Sequence, residues 1–307
     1  MPYVVANGLR FNVQHLGDPT APPVVMVHGL LSGSLASWYF GLAPVLARSH
    51  HVFLYDQRGH GLSERPLRGY TLTELAADLG ALTDSLGPCA LVGHSFGGVV
   101  ALRHAIDHPD RVTAVALVDS FIPASPGGAT AGSGGDGPRG ADVDSIDIEG
   151  IQAWEHDRRR SRERTATSGR PGRRRRRATG EQILLGGTTV LSDLRRDSQL
   201  DTTALAELRT PLLCAMGSAS PFRSEVEALA HRFPADQCRF EMLDGGHALH
   251  LDAPAELAEV VTQFLAGGPV DHCGLPVGGP SANGSKVSET KVSETKVGAS
   301  AQGGRHG

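Results

Sequence analysis

Short apolar runs that stop at glycine or a polar turn alternate, over the first 120 residues, with stretches whose apolar positions fall three and four apart. The runs are Pro22 to Gly29 (PPVVMVHG), His51 to Asp56 (HVFLYD), Cys89 to Ser95 (CALVGHS) and Arg111 to Ser120 (RVTAVALVDS). Unbroken apolar runs of this length read as strands buried on both faces. Between them, residues 34–49 suit a helix, although Gly41 and Pro44 weaken it. Residues 71–87 have helical spacing with a threonine start and a glycine stop, and residues 96–110 form a third helical stretch. Strands alternating with helices predict an α/β fold: a mostly parallel central sheet with helices on both faces.

The rhythm then breaks. Residues 124–150 are rich in Gly, Ser, Ala and Asp, and residues 158–177 hold eleven arginines. Residues 181–208 read as partly helical. The alternation returns with TPLLCAMG (strand), FRSEVEALAHRF (helix), CRFEML (strand) and PAELAEVVTQFLA (helix). Beyond Ala266 the chain is Gly- and Ser-rich and repeats KVSET in tandem; such a composition cannot bury a core and is expected to be disordered. The organisation is therefore a core over residues 1–121 and 206–266, an insertion over 122–205 that is partly disordered and Arg-rich, and a low-complexity tail over 267–307.

Composition changes this picture little. A chain of 307 residues is long enough for a sizeable core, and its net charge of −4 singles out no partner. The start lacks a basic segment followed by a long apolar run, so no signal peptide is expected. No stretch is apolar for long enough to span a bilayer, so no membrane partner is expected. Cys89, Cys214, Cys238 and Cys273 are scattered without metal-like spacing and read as reduced thiols. No metal or organic cofactor is expected, and the location expected is cytoplasmic. All three lysines, Lys286, Lys291 and Lys296, fall in the tail, whereas arginine alone is used before it. The arginine block could serve nucleic acid, with steep salt dependence lost on deleting 158–177. A solvated stretch is the favoured reading, and nucleic acid is not an expected partner.

Gly93-His94-Ser95-Phe96-Gly97 sets a lone serine between a strand and a helix. A serine hydroxyl needs a base to take its proton and donors to hold the oxyanion formed on attack. A sharp strand-to-helix turn requires glycine on both sides and points the N–H groups of the helix start at the reacting centre. The sequence fits the G-x-S-x-G elbow, with a plain helix N-cap as the alternative. The Phe96 N–H would be one oxyanion donor. Val27 to Leu31 (VHGLL) follows an earlier strand and would supply the Leu30 N–H as the other. Asp56 to Ser63 (DQRGHGLS) closes the next strand, and His247 sits in a glycine-flanked loop before the last helix, where open α/β sheets place their sites.

Taken in this order, His28-Gly29, Asp56 to Ser63, Gly93 to Gly97 and Gly246-His247 resemble the α/β-hydrolase superfamily, its serine-nucleophile branch, over roughly residues 3–122 and 205–266. The resemblance implies Ser95 as nucleophile and His247 as general base, with the 122–205 insertion as a cap over the pocket. His94 and His60 read as packing and loop-structuring residues, His28 as ordering the oxyanion loop, and His250 as the nearest rival to His247.

The acid that should orient the histidine is missing from its usual place. In this family it generally follows the strand written here TPLLCAMG, but the sequence continues SASPFRSE, without a carboxylate before the helix. Asp119 ends the strand that should lie beside the elbow strand, on the same rim, and some members carry their acid there; a loop-capping role is its alternative. Asp244 is too near His247 in sequence, and Asp252 suits a helix start. Trp38, Phe121 and Trp154 are candidate pocket walls. A serine nucleophile argues against the epoxide-hydrolase and dehalogenase branches. The chemistry expected is hydrolysis of a small-molecule carboxylic ester, thioester or lactone through an acyl-enzyme. The alternatives are a carbon–carbon bond hydrolase of the same fold and an inert ligand-binding scaffold.

Overall fold

The computed structural model describes residues 3–31, 33–123, 180–223, 226 and 237–267. Eight strands form one sheet: β1 (Tyr3–Ala6), β2 (Leu9–Leu16), β3 (Pro23–Val27), β4 (His51–Tyr55), β5 (Cys89–His94), β6 (Val112–Val118), β7 (Leu212–Gly217) and β8 (Cys238–Leu243). The order across the sheet is β1-β2-β4-β3-β5-β6-β7-β8. From β4 to β8 every pair is parallel, while β1 and β2 run antiparallel to each other and β2 antiparallel to β4.

The β1–β2 hairpin is an addition to the sequence reading. Ala6 pairs with Leu9 across Asn7-Gly8, which take φ of 47° and 73°. That two-residue turn with positive φ at both positions is the Asn-Gly hairpin signal. The helix expected over residues 34–49 is also corrected. It is two short helices, α1 (Ala36–Tyr39) and α2 (Leu42–Leu46), parted at Gly41, whose φ of −128° and ψ of −97° no helix accepts.

Helix α3 (Leu72–Thr83) starts at Thr71, which forms a capping box with Glu74. Helix α4 (Phe96–Asp107) packs against α3 and on β5 and β6. On the opposite side, α1, α2 and the C-terminal helix α9 (Pro254–Leu265) bury Trp38, Leu42, Leu46, Leu257, Val261 and Phe264 against Val24, Met26, Val92 and Val118. The alternate residues Val24/Met26 and Ala90/Val92 thus face one layer, and their neighbours face the other.

Three helices follow the undescribed 124–179 segment: α5 (Gly180–Gly187), α6 (Val190–Arg196) and α7 (Thr202–Glu207); α8 (Leu249–Asp252) precedes α9. The first two dock on the loop after β4. Leu184, Val190 and Leu194 are buried, and Asp193 accepts hydrogen bonds from the Gly69 and Tyr70 N–H groups at 3.1 and 3.0 Å. That loop is itself pinned by Arg58, whose guanidinium meets both oxygens of buried Asp78 at 2.5 and 2.6 Å. Trp154, the arginine block, most of the helix expected over 222–233 and the low-complexity tail lie outside the described residues.

Candidate active site

Ser95 stands between β5 and α4 with φ 53° and ψ −127°. It occupies the N-cap position of α4, yet its side chain makes no cap hydrogen bond, so the N-cap alternative is not realised. The turn needs its glycines. A Cβ on Gly93 would sit 2.5 Å from the Gly98 Cα, and one on Gly97 would sit 2.4 Å from the His28 carbonyl oxygen. Bare backbone at Gly97 therefore lets the start of α4 lie directly against the loop after β3.

That loop is held by His28. Its Nδ1–H donates to the Gly29 carbonyl at 2.8 Å, and its Nε2 accepts from the Gln57 N–H at 2.9 Å. The Gln57 side-chain amide returns a bond to the His28 carbonyl at 2.6 Å. Complete burial pushes the His28 imidazole down to about 4, which keeps it neutral with the proton on Nδ1. Downstream, buried Asp56 accepts from the Leu35 N–H at 2.7 Å and the Leu62 N–H at 2.9 Å, tying both loops together. Among the described residues, neither the Leu30 nor the Phe96 N–H donates to a backbone oxygen.

Asp119, at 0% exposure, follows β6 on the strand beside the elbow. Its Oδ2 accepts from His247 Nδ1 at 2.6 Å and from Ser220 Oγ at 2.8 Å, and its Oδ1 accepts from the Gly217 N–H at 2.8 Å. With the proton on Nδ1, the second lone pair of the His247 ring lies on Nε2. Three further bonds join this pair to the elbow. The Ser95 N–H donates to the Val118 carbonyl at 3.1 Å, Ser120 Oγ donates to the Ser95 carbonyl at 2.7 Å, and His94 Nε2 donates to the His247 carbonyl at 2.8 Å. Leu31, Ser95 and Asp119 all have positive φ (67°, 53° and 45°), a region that non-glycine residues seldom adopt.

A family profile described as the alpha/beta hydrolase family matches residues 24–260. The chain belongs to that family. Epoxide hydrolase A of Mycobacterium tuberculosis is 38% identical over 127 residues, which are 40% of this chain and 38% of that protein. A putative carbamate hydrolase of Variovorax paradoxus is 38% identical over 34% of this chain and 40% of its own length. The chain thus matches about two fifths of the length of these curated relatives. A putative 2-succinyl-6-hydroxy-2,4-cyclohexadiene-1-carboxylate synthase of Bacillus subtilis is 28% identical over 85% of this chain and 96% of that one. Among solved structures, the enol-lactonase of Burkholderia xenovorans LB400 shares the fold with a TM-score of 0.63, at 21% identity over 86% of this chain and all of that one.

The remaining residues singled out from the sequence fall into place unevenly. His94 does more than pack: besides its bond to the His247 carbonyl, its ring lies 4.8 Å from that of His247. His250, the rival base, faces His94 at 4.8 Å and Trp38 at 5.6 Å, on the side of the inner core. His60 is buried, bonds the Arg58 carbonyl at 2.9 Å and packs edge-on to His28; burial, with His28 beside it, pushes it down to about 3. Asp252 does not start α9, whose N-cap is Ala253; it accepts from the Gly246 N–H at 3.1 Å and braces the histidine loop.

Trp38 has 0% exposure and belongs to the core cluster with Leu42 and Leu46. Phe121 is also buried, but its ring lies 5.1 Å from that of half-buried Phe222, which stands edge-on to His247 at 5.0 Å. Phe222 and Ser220 were not singled out from the sequence. A cleft of about 390 Å³ lined by Pro22, Pro88, Pro211 and Phe264 lies at the amino ends of the strands, the opposite rim from Ser95. Among the described residues there is no cluster of three potential metal ligands, and no helix long and apolar enough to cross a membrane.

Proposed function

We infer that this chain is a serine hydrolase that cleaves a carboxylic ester, thioester or lactone of a small molecule through an acyl-enzyme. The observation that carries the reading is the buried 2.6 Å His247–Asp119 bond, tied through His94, Val118 and Ser120 to a serine whose hydroxyl is not spent on capping. Ser95 Oγ passes its proton to His247 Nε2 and attacks the acyl carbonyl. The Leu30 and Phe96 N–H groups receive the oxyanion, and Asp119 stabilises the imidazolium. His247 then protonates the departing alkoxide or thiolate. Water attacks the acyl-enzyme, with His247 again as base, and frees the acid. Residues 122–205 form the cap in this reading, a role supported by the docking of α5 and α6 on residues 67–71. Phe121, through Phe222, flanks the site.

The test is a panel of 4-nitrophenyl esters, thioesters and lactones, with a 1,3-diketone for carbon–carbon cleavage, read against the Ser95→Ala protein. A burst of nitrophenol equal to the enzyme, followed by slower turnover and absent in Ser95→Ala, is expected. Turnover by the wild type no faster than by Ser95→Ala on every ester, thioester and lactone would end the reading.

A further inference from the structure

Where the strand β7 ends, the chain meets the buried carboxylate with a hydroxyl. Gly217 closes β7, and Ser220 follows in a turn whose Ser220 N–H donates to the Gly217 carbonyl at 3.0 Å. The turn is braced from the end of β8 and the histidine loop: Ser218 N–H donates to the Leu243 carbonyl at 2.8 Å and Ala219 N–H to the Gly245 carbonyl at 2.9 Å. Ser220 Oγ donates to Asp119 Oδ2 at 2.8 Å and accepts from the Phe222 N–H at 3.1 Å. The oxygen it touches is the one His247 uses. A carboxylate oxygen offers about two lone-pair directions. On Oδ2 one is taken by Ser220, which leaves the other for His247, while Gly217 holds Oδ1.

We propose that Ser220 is a positioning residue of this site: its hydroxyl aims Asp119 Oδ2 at His247 Nδ1, shares the negative charge of that oxygen, and through Phe222 fixes the aromatic edge over the imidazole. The proposal rests on the serine-hydrolase reading. Withdrawing the hydroxyl leaves more charge on Oδ2 and favours the imidazolium. The base is then lost at a higher pH. The titratable groups around His247 are Asp119 from β6, His94 from β5 with His250 behind it, and Asp252, bonded to the Gly246 N–H; Asp244 in the same loop is met by Ser218 at 3.3 Å. Of these, only Asp119 shares a hydrogen bond with Ser220 among the described residues.

The geometry also says that position 220 is within reach of the base. Ser220 Oγ is 2.8 Å from Oδ2, and Oδ2 is 2.6 Å from Nδ1. An aspartate at 220 is one atom longer and carries an oxygen about 1.2 Å beyond the present hydroxyl position, part of the way to the place Oδ2 vacates once position 119 is emptied. Asp119 has φ 45°, which glycine adopts without strain.

The experiment is fluorophosphonate labelling of the full chain, followed by intact mass from pH 5 to 9, with thermal melting as the control for folding. Ser220→Ala is expected to label about tenfold slower, because the imidazole is no longer held in its orientation and that loss outweighs the stronger basicity. Its acid-side midpoint should move up by roughly half a pH unit. Ser220→Thr, which keeps the hydroxyl, should retain the wild-type midpoint. The pair Asp119→Gly/Ser220→Asp should label at least about tenfold faster than Asp119→Gly alone. An unchanged midpoint in folded Ser220→Ala would overturn the proposal whatever the rate, because a merely structural role slows labelling without moving the titration. A folded double variant no faster than Asp119→Gly would likewise count against it. Absence of labelling in the wild type would strike the hydrolase reading instead.

Discussion

Replacing Asp119 by asparagine changes one atom pair and should remove nearly all activity. The carboxylate has 0% exposure and accepts three hydrogen bonds, from Gly217 N–H, Ser220 Oγ and His247 Nδ1. An amide has one oxygen and one NH2. Gly217 N–H can only donate, so the amide oxygen must face it, and the NH2 then points at Ser220 and His247. His247 Nδ1 has to accept, which moves the imidazole proton to Nε2, the atom proposed to take the Ser95 proton. In serine-hydrolase triads a wrong tautomer of this kind costs about 10⁴-fold in rate, or ~5 kcal/mol of barrier. The fold should change far less, because the Gly217 bond survives and Ser220 Oγ can turn to accept. The assay is the second-order rate of fluorophosphonate labelling beside a thermal melt. A folded Asp119→Asn protein that labels within about tenfold of the wild type would refute the tautomer argument.

Three further outcomes follow from the geometry. Gly97→Ala would set a Cβ 2.4 Å from the His28 carbonyl oxygen, so it should push α4 and the Phe96 N–H off the oxyanion loop and slow labelling by at least about a hundredfold, read by the same assay. Asp78→Ala would leave the Arg58 guanidinium buried without its partner, and denaturant titration should show a loss of about 3–5 kcal/mol. His28, His60 and His104 are buried neutral, held down to about 4, 3 and 4 by burial. Because the unfolded chain binds protons on these groups first, their contribution to stability is complete above about pH 6.5 and is lost as the pH falls from there toward 4, with a slope of up to ~1.4 kcal/mol per pH unit for each histidine. Melting temperatures between pH 7 and 4.5 check this; a flat profile would contradict it.

Much of the molecule can be read from its pattern because the parallel strands β3, β4, β5, β6 and β7 are buried on both faces and therefore appear as uninterrupted apolar runs. The β1–β2 hairpin escapes such a reading. Only four of its twelve strand residues are buried, and the Asn7-Gly8 signal is only two residues long. The break between α1 and α2 depends on how Gly41 is held, which composition does not fix. Asp119 was reachable from the sequence through topology, since the strand after the elbow helix must lie next to the elbow strand. Ser220 and Phe222 were not. A serine and a phenylalanine after a strand carry no chemistry of their own, and their meaning arises only when the turn after β7 folds onto a carboxylate 101 positions away. The burial of Trp38 was not legible for a related reason: an aromatic side chain in a short helix can face solvent or the core, and the packing of α1 on α2 and α9 decides.

The most direct test of the account is intact-mass analysis after fluorophosphonate treatment of the wild type and of Ser95→Ala. The account predicts one adduct per chain on the wild type and none on Ser95→Ala. A folded wild-type protein that takes up no adduct, or a Ser95→Ala protein that takes up as much as the wild type, would contradict it.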